Sequence, residues 1–164
     1  MILVVSDWFW SYGFDDVRDD VLVGAYPLDA SDVTVLQRLG VTQILNLAED
    51  GEYGPGQRPE VESALAAAGI SETRLMLVDY GHLPPEALEE AVQTVNGWLD
   101  AGERTYVHCR AGWQRSAAVA AGVVALRDDL GIEHALEIVR SRKPSAKPLD
   151  HQREDLLRWW NGRG

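Results

Sequence analysis

Short apolar segments alternate along this chain with longer segments whose apolar residues recur every three or four positions. We predict buried strands for the apolar segments, which are DVLVG at 20–24, VTQILNL at 41–47, TRLMLV at 73–78 and TYVHC at 105–109. We predict helices for the periodic segments, which begin at Ser31 or Asp32 and run to Leu39, and then cover 60–68, 85–100, 116–126, 132–142 and 150–161.

Glycine and proline mark the boundaries between these segments. Gly40 and Gly69 each follow a periodic segment and are expected to end a helix, whereas Pro85 suits the first turn of one. EDGEYGPGQRP at 49–59 and DYGHLPP at 79–85 are expected to be loops. Tyr53 and Arg58 in the first loop are candidates for the rim of a site, although such loops are more often connectors.

The alternation of strands and helices predicts an α/β fold. We expect residues 1–164 to form a single domain with a mainly parallel central sheet flanked by helices on both faces. Ligands of such sheets bind at the carboxyl ends of the strands. Cys109 ends the strand at 105–109 and is therefore well placed for chemistry.

The amino-acid composition and net charge indicate which kind of protein and which partners to expect. Hydrophobic residues make up 46% and charged residues 25%, as in a soluble globular protein, and the formal net charge is −11. Because such a charge repels polyanions, we expect neither nucleic acid nor a membrane as a partner. The single cysteine excludes an internal disulfide and fits a reduced, cytoplasmic setting.

The first ten residues, MILVVSDWFW, are apolar but include Asp7 and no basic residue. We expect a strand or core plug there, and neither a signal peptide nor a membrane span. The aromatic residues of this region are expected to fill the core at one end of the sheet, and they are Trp8, Phe9, Trp10 and Tyr12.

The cysteine lies in HCRAGWQRS at 108–116, between a predicted strand and a predicted helix. Five residues separate Cys109 from Arg115, enough to curve the backbone around one tetrahedral anion. The N-terminus of the following helix and the planar guanidinium both favour negative charge at this point. The same groups stabilise a thiolate, so Cys109 is a candidate nucleophile.

The other residues of this segment have distinct expected roles. Ser116 is placed to donate a hydrogen bond to the sulfur, and His108 to orient the loop through its ring nitrogens. Ala111 and Gly112 are small enough for close approach of backbone amides to an anion. Trp113 and Gln114 are candidates for the pocket rim or for loop packing, and Arg110 faces either solvent or a second charge on the substrate.

The HC-x5-RS pattern resembles the phosphate-binding signature of the cysteine-dependent protein tyrosine phosphatases, and the AG pair with the short chain resembles the dual-specificity branch. VLVGAYP, VTQILNLAED and RSRKPSAKP extend the resemblance over most of the chain. It implies a phosphate-binding loop at a strand–loop–helix junction and a general acid at Asp79, with His82 as the competing residue. Lys143-Pro144 and Pro148-Leu149 stand where the family often has Arg-Pro and Pro-Asn, so bracing of the loop by the missing Asn is not expected.

The resemblance implies a two-step mechanism. Cys109 attacks phosphorus, Arg115 and the amides of 110–115 bind the phosphate oxygens, and Asp79 protonates the leaving group and then activates water. No metal or cofactor is required. We expect a monomer that acts on phosphotyrosine, and on phosphoserine or phosphothreonine, in proteins. The alternatives are a phosphoinositide, phospholipid or small phosphate substrate, and a phosphate-binding module without turnover.

Overall fold

The computed structural model describes residues 4–163. Its helices and strands follow the order α1 (Asp7–Tyr12), β1 (Phe14–Arg18), β2 (Val21–Gly24), α2 (Ala30–Arg38), β3 (Gln43–Asn46), α3 (Gln57–Ala68), β4 (Ser71–Arg74), α4 (Pro85–Asp100), β5 (Thr105–His108), α5 (Arg115–Arg127), α6 (Ile132–Arg142) and α7 (Asp150–Gly162). The strands form one sheet in the order β1-β2-β5-β3-β4. Only the β1–β2 pair is antiparallel among the described strands. The predicted mainly parallel α/β fold is confirmed.

Helices cover both faces of the sheet, and each face has its own apolar core. On one face α4, α5 and α6 pack against the sheet and α7 packs on these helices, and α5 is buried along almost its whole length because its residues are small and apolar. On the other face α1, α2 and α3 pack around Leu36, Ile44 and Tyr106. Central strand β5 is buried on all four residues, so its carboxyl end is held rigidly between two layers.

The amino-terminal prediction is wrong in two ways. Asp7–Tyr12 is a helix rather than a strand, because Ser6 caps it by accepting a hydrogen bond from the Phe9 amide at 3.1 Å. Phe9 is buried as expected, but Trp10 is 82% exposed and does not join the core. Residues 1–3 of the predicted segment lie outside the described residues. Strand β1, which pairs with β2, was not predicted.

Four boundaries also differ from the predictions. Asp29 caps α2 in place of Ser31 or Asp32, because its carboxylate accepts from the Asp32 amide at 3.2 Å. The predicted loop 49–59 contains a 3-10 turn at Asp50–Glu52 and the first turn of α3. The β3 strand is shorter than VTQILNL. Strand β4 covers Ser71–Arg74 rather than 73–78, and Met76 and Val78 beyond it are exposed.

The later helices agree closely with their patterns. Pro85 begins α4, and Leu88, Val92, Val95 and Leu99 are buried on its inner face. None of the helices within residues 4–163 is long and apolar enough to cross a membrane.

Candidate active site

Cys109 lies at the carboxyl end of β5, at the base of a cavity of about 210 Å³. Its side chain is buried, and the sulfur is 3.3 Å from Ser116 Oγ at the start of α5. Ser116 is also buried, so this contact is shielded from water. The strand–loop–helix junction therefore brings the two residues together as the sequence predicts.

The loop from 109 to 115 turns its carbonyl groups outward. The Cys109 carbonyl is 2.9 Å from His108 Nδ1, the Arg110 carbonyl accepts from the Tyr26 amide at 3.0 Å, and the Trp113 carbonyl accepts from the Lys147 amide at 2.6 Å. Because the N–H of a trans peptide points opposite to its C=O, the amides that follow these carbonyls face the inside of the loop. The loop is thereby preformed as an anion cradle.

The structure requires glycine at position 112 for a reason that the sequence did not reveal. Its φ of +81° is in the left-handed region, and a Cβ at this position would lie 2.5 Å from the carbonyl carbon of Gly24. The loop thus packs directly on the end of β2, and this close approach to Gly24 excludes a side chain at position 112.

The late segment RSRKPSAKP packs against this loop, as the resemblance implies. Besides the Lys147 amide contact, it buries Lys143, which is 1% exposed and donates from Nζ to Ser145 Oγ at 2.7 Å. Burial lowers the pKa of Lys143, while the charges of Asp15 and Cys109 act in the opposite direction. Although this segment lacks the Asn that the family often has, it places the buried Lys143 within electrostatic range of the Cys109 sulfur.

Arg115 is held by a carboxylate that the sequence analysis missed. Its Nη1 and Nη2 donate to Glu52 Oε2 and Oε1 at 2.9 and 2.6 Å, and Nη1 also donates to the Leu77 carbonyl at 2.9 Å. Its Nε–H is buried and has no hydrogen-bond partner among residues 4–163, which leaves it available to a bound oxyanion. Within the Gly- and Pro-rich segment 49–59, no feature of the sequence distinguishes Glu52 from its acidic neighbours Glu49 and Asp50.

The charges of this pair are mutually stabilising. Burial raises the pKa of Glu52, but the hydrogen bonds from Arg115 and from the Glu49 backbone outweigh it and leave that pKa below its usual value. Burial lowers the pKa of Arg115, and the hydrogen bond to Glu52 and the charges of Cys109, Glu52 and Asp79 more than reverse this. Both groups are therefore ionised at neutral pH.

The two acid candidates lie in different places. Asp79 lines the cavity, with Oδ1 3.1 Å from Arg115 Nη2, and is partly exposed. His82 has a side chain that is 75% exposed, and its Nδ1 is 3.0 Å from Asp155 on α7. Asp79 is thus the one beside the candidate nucleophile.

His108 faces away from the cavity and into the core. Since a carbonyl can only accept, the contact with Cys109 O places the proton on Nδ1. Burial is the main reason that the pKa of His108 falls to about 4, against weaker opposing effects of its bond to Cys109 and of Glu72. The residue is neutral at physiological pH, and its contact with the Cys109 carbonyl is the one that the expected orienting role requires.

The cavity wall is more aromatic than the sequence predicts. Trp113 and Gln114 line it, as do Arg110 and Ala111, and the remaining wall is made by Trp8, Tyr12 and Tyr80. Ring centroids of Trp8 and Tyr12 are 4.3 Å apart and those of Tyr12 and Trp113 are 5.6 Å apart. Helix α1, predicted as core, therefore forms one side of the site.

Tyr53 and Arg58, the other candidates in loop 49–59, contact residues outside the cavity lining. Tyr53 stacks on Tyr26 with centroids 4.8 Å apart and accepts a hydrogen bond from Asn46 at 2.8 Å. Arg58 pairs with Glu72 at 2.5 Å. Neither residue lines the cavity, so their prediction as rim residues is not supported by their positions.

The chain is similar to known proteins over most of its length. Residues 22–161 match the model of the family described as "Dual specificity phosphatase, catalytic domain". The chain is 31% identical over 140 residues to the phosphatidylglycerophosphate phosphatase PTPMT1 of Arabidopsis thaliana, covering 85% of this chain and 39% of that protein. It is 31% identical over 121 residues to human dual specificity phosphatase 28, covering 69% of this chain and 58% of the relative. The chain thus spans less than two thirds of the length of each relative.

Solved structures share the fold. The crystal structure of PTPMT1 in complex with PI(5)P aligns with a TM-score of 0.78 at 24% identity, over 91% of this chain and 95% of that one. Human DUSP28 aligns with a TM-score of 0.72 at 23% identity, over 92% of this chain and 94% of that one.

Proposed function

This chain belongs to the dual specificity phosphatase catalytic-domain family, and from that premise we propose that it hydrolyses phosphate monoesters through a cysteinyl-phosphate on Cys109. The observation that carries the proposal is the arrangement of one buried sulfur beside Ser116, the oriented guanidinium of Arg115 and Asp79 around a single cavity. A binding module without turnover would not need both a nucleophile and a carboxylate in the lining of one anion-sized cavity.

In the first step the Cys109 sulfur attacks phosphorus and the bond from phosphorus to the ester oxygen breaks. Asp79 gives its proton to that oxygen, while Arg115 and the inward-facing amides bind the three equatorial oxygens. In the second step water attacks phosphorus and loses a proton to the Asp79 carboxylate. The sulfur–phosphorus bond then breaks, and Ser116 donates to the departing thiolate.

We propose phosphotyrosine in proteins as the substrate class, because the aromatic wall suits an aromatic ester. Trp8, Tyr12 and Trp113 form a continuous series of rings beside the cradle, on which a substrate ring can stack. The net charge of −11 also opposes approach to an anionic bilayer. Action on phosphoserine and phosphothreonine, a cytoplasmic location and a monomeric state complete the proposal.

A phospholipid monoester is the second candidate. Arg110 is exposed at the cavity, where it can bind a second phosphate, and Trp10 projects from α1. The name of the Arabidopsis relative points to the same class of substrate.

Hydrolysis of p-nitrophenyl phosphate in EDTA tests the reaction itself. We expect turnover by the unaltered protein and none by Cys109→Ser, and turnover retained in Cys109→Ser would refute the covalent route. Substrate class is tested by comparing kcat/KM on a phosphotyrosine peptide and on a short-chain phosphatidic acid in detergent micelles. We expect preference for the peptide and a loss of that preference in Tyr12→Ala. Ser11→Ala, at an exposed position of the same helix and outside the cavity, is the control, and preference for the lipid would support the second candidate.

A further inference from the structure

Helix α7 holds the segment that carries Asp79. Three side chains on the first turns of α7 bond backbone groups of residues 80–83. The bonds join His151 Nε2 to the Tyr80 carbonyl at 2.8 Å, Gln152 Nε2 to the Gly81 carbonyl at 3.1 Å, and the Leu83 amide to Asp155 Oδ2 at 2.8 Å. Consecutive peptide groups after Asp79 are thus fixed from one helix, whereas loops that move on binding usually lack such anchors.

The segment itself has a conformation that needs external support. Tyr80 has a φ of +59°, which is unfavourable for a residue with a Cβ. The Gly81 amide closes a tight turn by donating to the Val78 carbonyl at 2.9 Å. Because Tyr80 directly follows Asp79, release of its backbone from the left-handed region would redirect the carboxylate away from the cavity.

Asp155 is a buried carboxylate that the proposed chemistry does not use. It is 5% exposed, and its oxygens contact the Leu83 amide, His82 Nδ1 and Arg158 Nη1. A buried carboxylate is costly unless it is hydrogen-bonded, so the acid segment and the helix stabilise each other in this arrangement. Gln152 is also fully buried, with its amide committed to the Gly81 carbonyl.

We propose that His151, Gln152 and Asp155 are positioning residues for the general acid. They act through residues 80–83 and hold Asp79 beside Arg115 before substrate binds, so that protonation of the leaving group requires no closure of a loop. The inference rests on the proposed function, since it assigns these residues to the acid step of that reaction.

This role has a signature that general loss of stability does not have. Protonation of the leaving oxygen matters for an ester of a weakly acidic alcohol or phenol and much less for p-nitrophenyl phosphate, whose leaving group is already stable as an anion. A displaced Asp79 should therefore make the rate depend more steeply on the leaving group, while the cradle and the sulfur keep their properties.

The test compares kcat/KM on phenyl phosphate and p-nitrophenyl phosphate. We expect Gln152→Ala and Asp155→Ala to lose about tenfold more activity on phenyl phosphate than on p-nitrophenyl phosphate, in the same direction as Asp79→Asn. Asp155→Asn retains an oxygen for the Leu83 amide and is expected to restore most of the loss. Glu154→Gln makes the same charge change at an exposed position of α7 and serves as the control.

Two further measurements separate positioning from folding. Alkylation of Cys109 by iodoacetamide should proceed at the same rate in all these variants if only the acid is displaced. His151→Ala, at a partly exposed position, provides a milder variant if Asp155→Ala does not fold. Equal losses on both esters, or unchanged activity on both, would overturn the positioning role alone. Failure of the unaltered protein to hydrolyse either ester would overturn the proposed function as well.

Discussion

The guanidinium of Arg115 is bound at both terminal nitrogens by the carboxylate of Glu52, a residue 63 positions earlier in the chain, at 2.9 and 2.6 Å. The two side chains are 1% and 8% exposed, so the ion pair is shielded from water. Because Glu52 fixes the plane of the guanidinium, it determines where the remaining donors of Arg115 meet a phosphate. The cradle is thus completed by a carboxylate outside it.

Substitution Glu52→Gln tests this dependence. The new amide places N–H groups against those of Arg115, and we expect the free energy of unfolding to fall by about 2 kcal/mol. Displacement of the guanidinium should lower kcat/KM about 10²-fold. Urea unfolding and p-nitrophenyl phosphate kinetics measure both effects. Asp50→Asn, in the same 3-10 turn with its side chain 75% exposed, should show neither.

The Asp79 carboxylate is expected to be the general acid rather than His82. Asp79→Asn should lower kcat/KM on phenyl phosphate by about 10²- to 10⁴-fold, with a much smaller effect on p-nitrophenyl phosphate. His82→Ala leaves the Leu83–Asp155 bond in place and should retain the leaving-group dependence of the unaltered protein. The opposite result, a steep dependence only in His82→Ala, would transfer the role to the histidine.

Burial of neutral His108 makes stability depend on pH. Its pKa is lowered by burial to about 4, whereas in the unfolded chain it takes its ordinary value of 6.5. The unfolded state therefore binds more protons between these values, and stability falls as pH decreases from about 6.5 to about 4. The loss amounts to about 3 kcal/mol. Urea unfolding at several pH values should show this decrease, which should be smaller in His108→Asn than in the unaltered protein.

The buried ammonium of Lys143 is expected to support the charge on Cys109. Replacement by Met keeps most of the side-chain volume but removes the cation, and we predict that alkylation of Cys109 at neutral pH becomes about tenfold slower. Lys147→Met is the control, because Lys147 contacts the loop through its backbone amide. Equal rates in the unaltered protein and Lys143→Met would show that the ammonium does not act on the sulfur.

Structural features that depend on residues close together in the chain could be predicted from the sequence. HCRAGWQRS specifies strand, loop and helix together, and so the positions of Cys109, Ser116 and Arg115 followed from one segment. The periodicity of α4 likewise depends only on its own apolar residues. Features built from distant residues were not visible. Glu52 and Asp155 are ordinary acidic residues until folding brings them to Arg115 and to residues 82 and 83.

Errors at the amino terminus have a similar origin. The apolar character of the first residues favoured a strand or core plug, but the Ser6 cap stabilises helix α1 there. The aromatic rings of Trp8 and Tyr12 on this helix line the cavity beside Trp113. Segment 73–78 is apolar like a strand, yet β4 ends at Arg74 and the rest of the segment leads to Asp79. Apolar character does not distinguish Trp8 and Tyr12, which line the cavity, from Phe9 and Leu77, which fill the core.

Rapid acid quenching during turnover of p-nitrophenyl phosphate, followed by mass spectrometry of the peptide that contains Cys109, tests the central claim most directly. We predict that the mass of one phosphoryl group is attached to Cys109 in the unaltered protein and is absent in Cys109→Ser, which should also lack turnover. Continued turnover with no phosphoryl group on Cys109 at any quench time would contradict the assignment of this sulfur as the nucleophile.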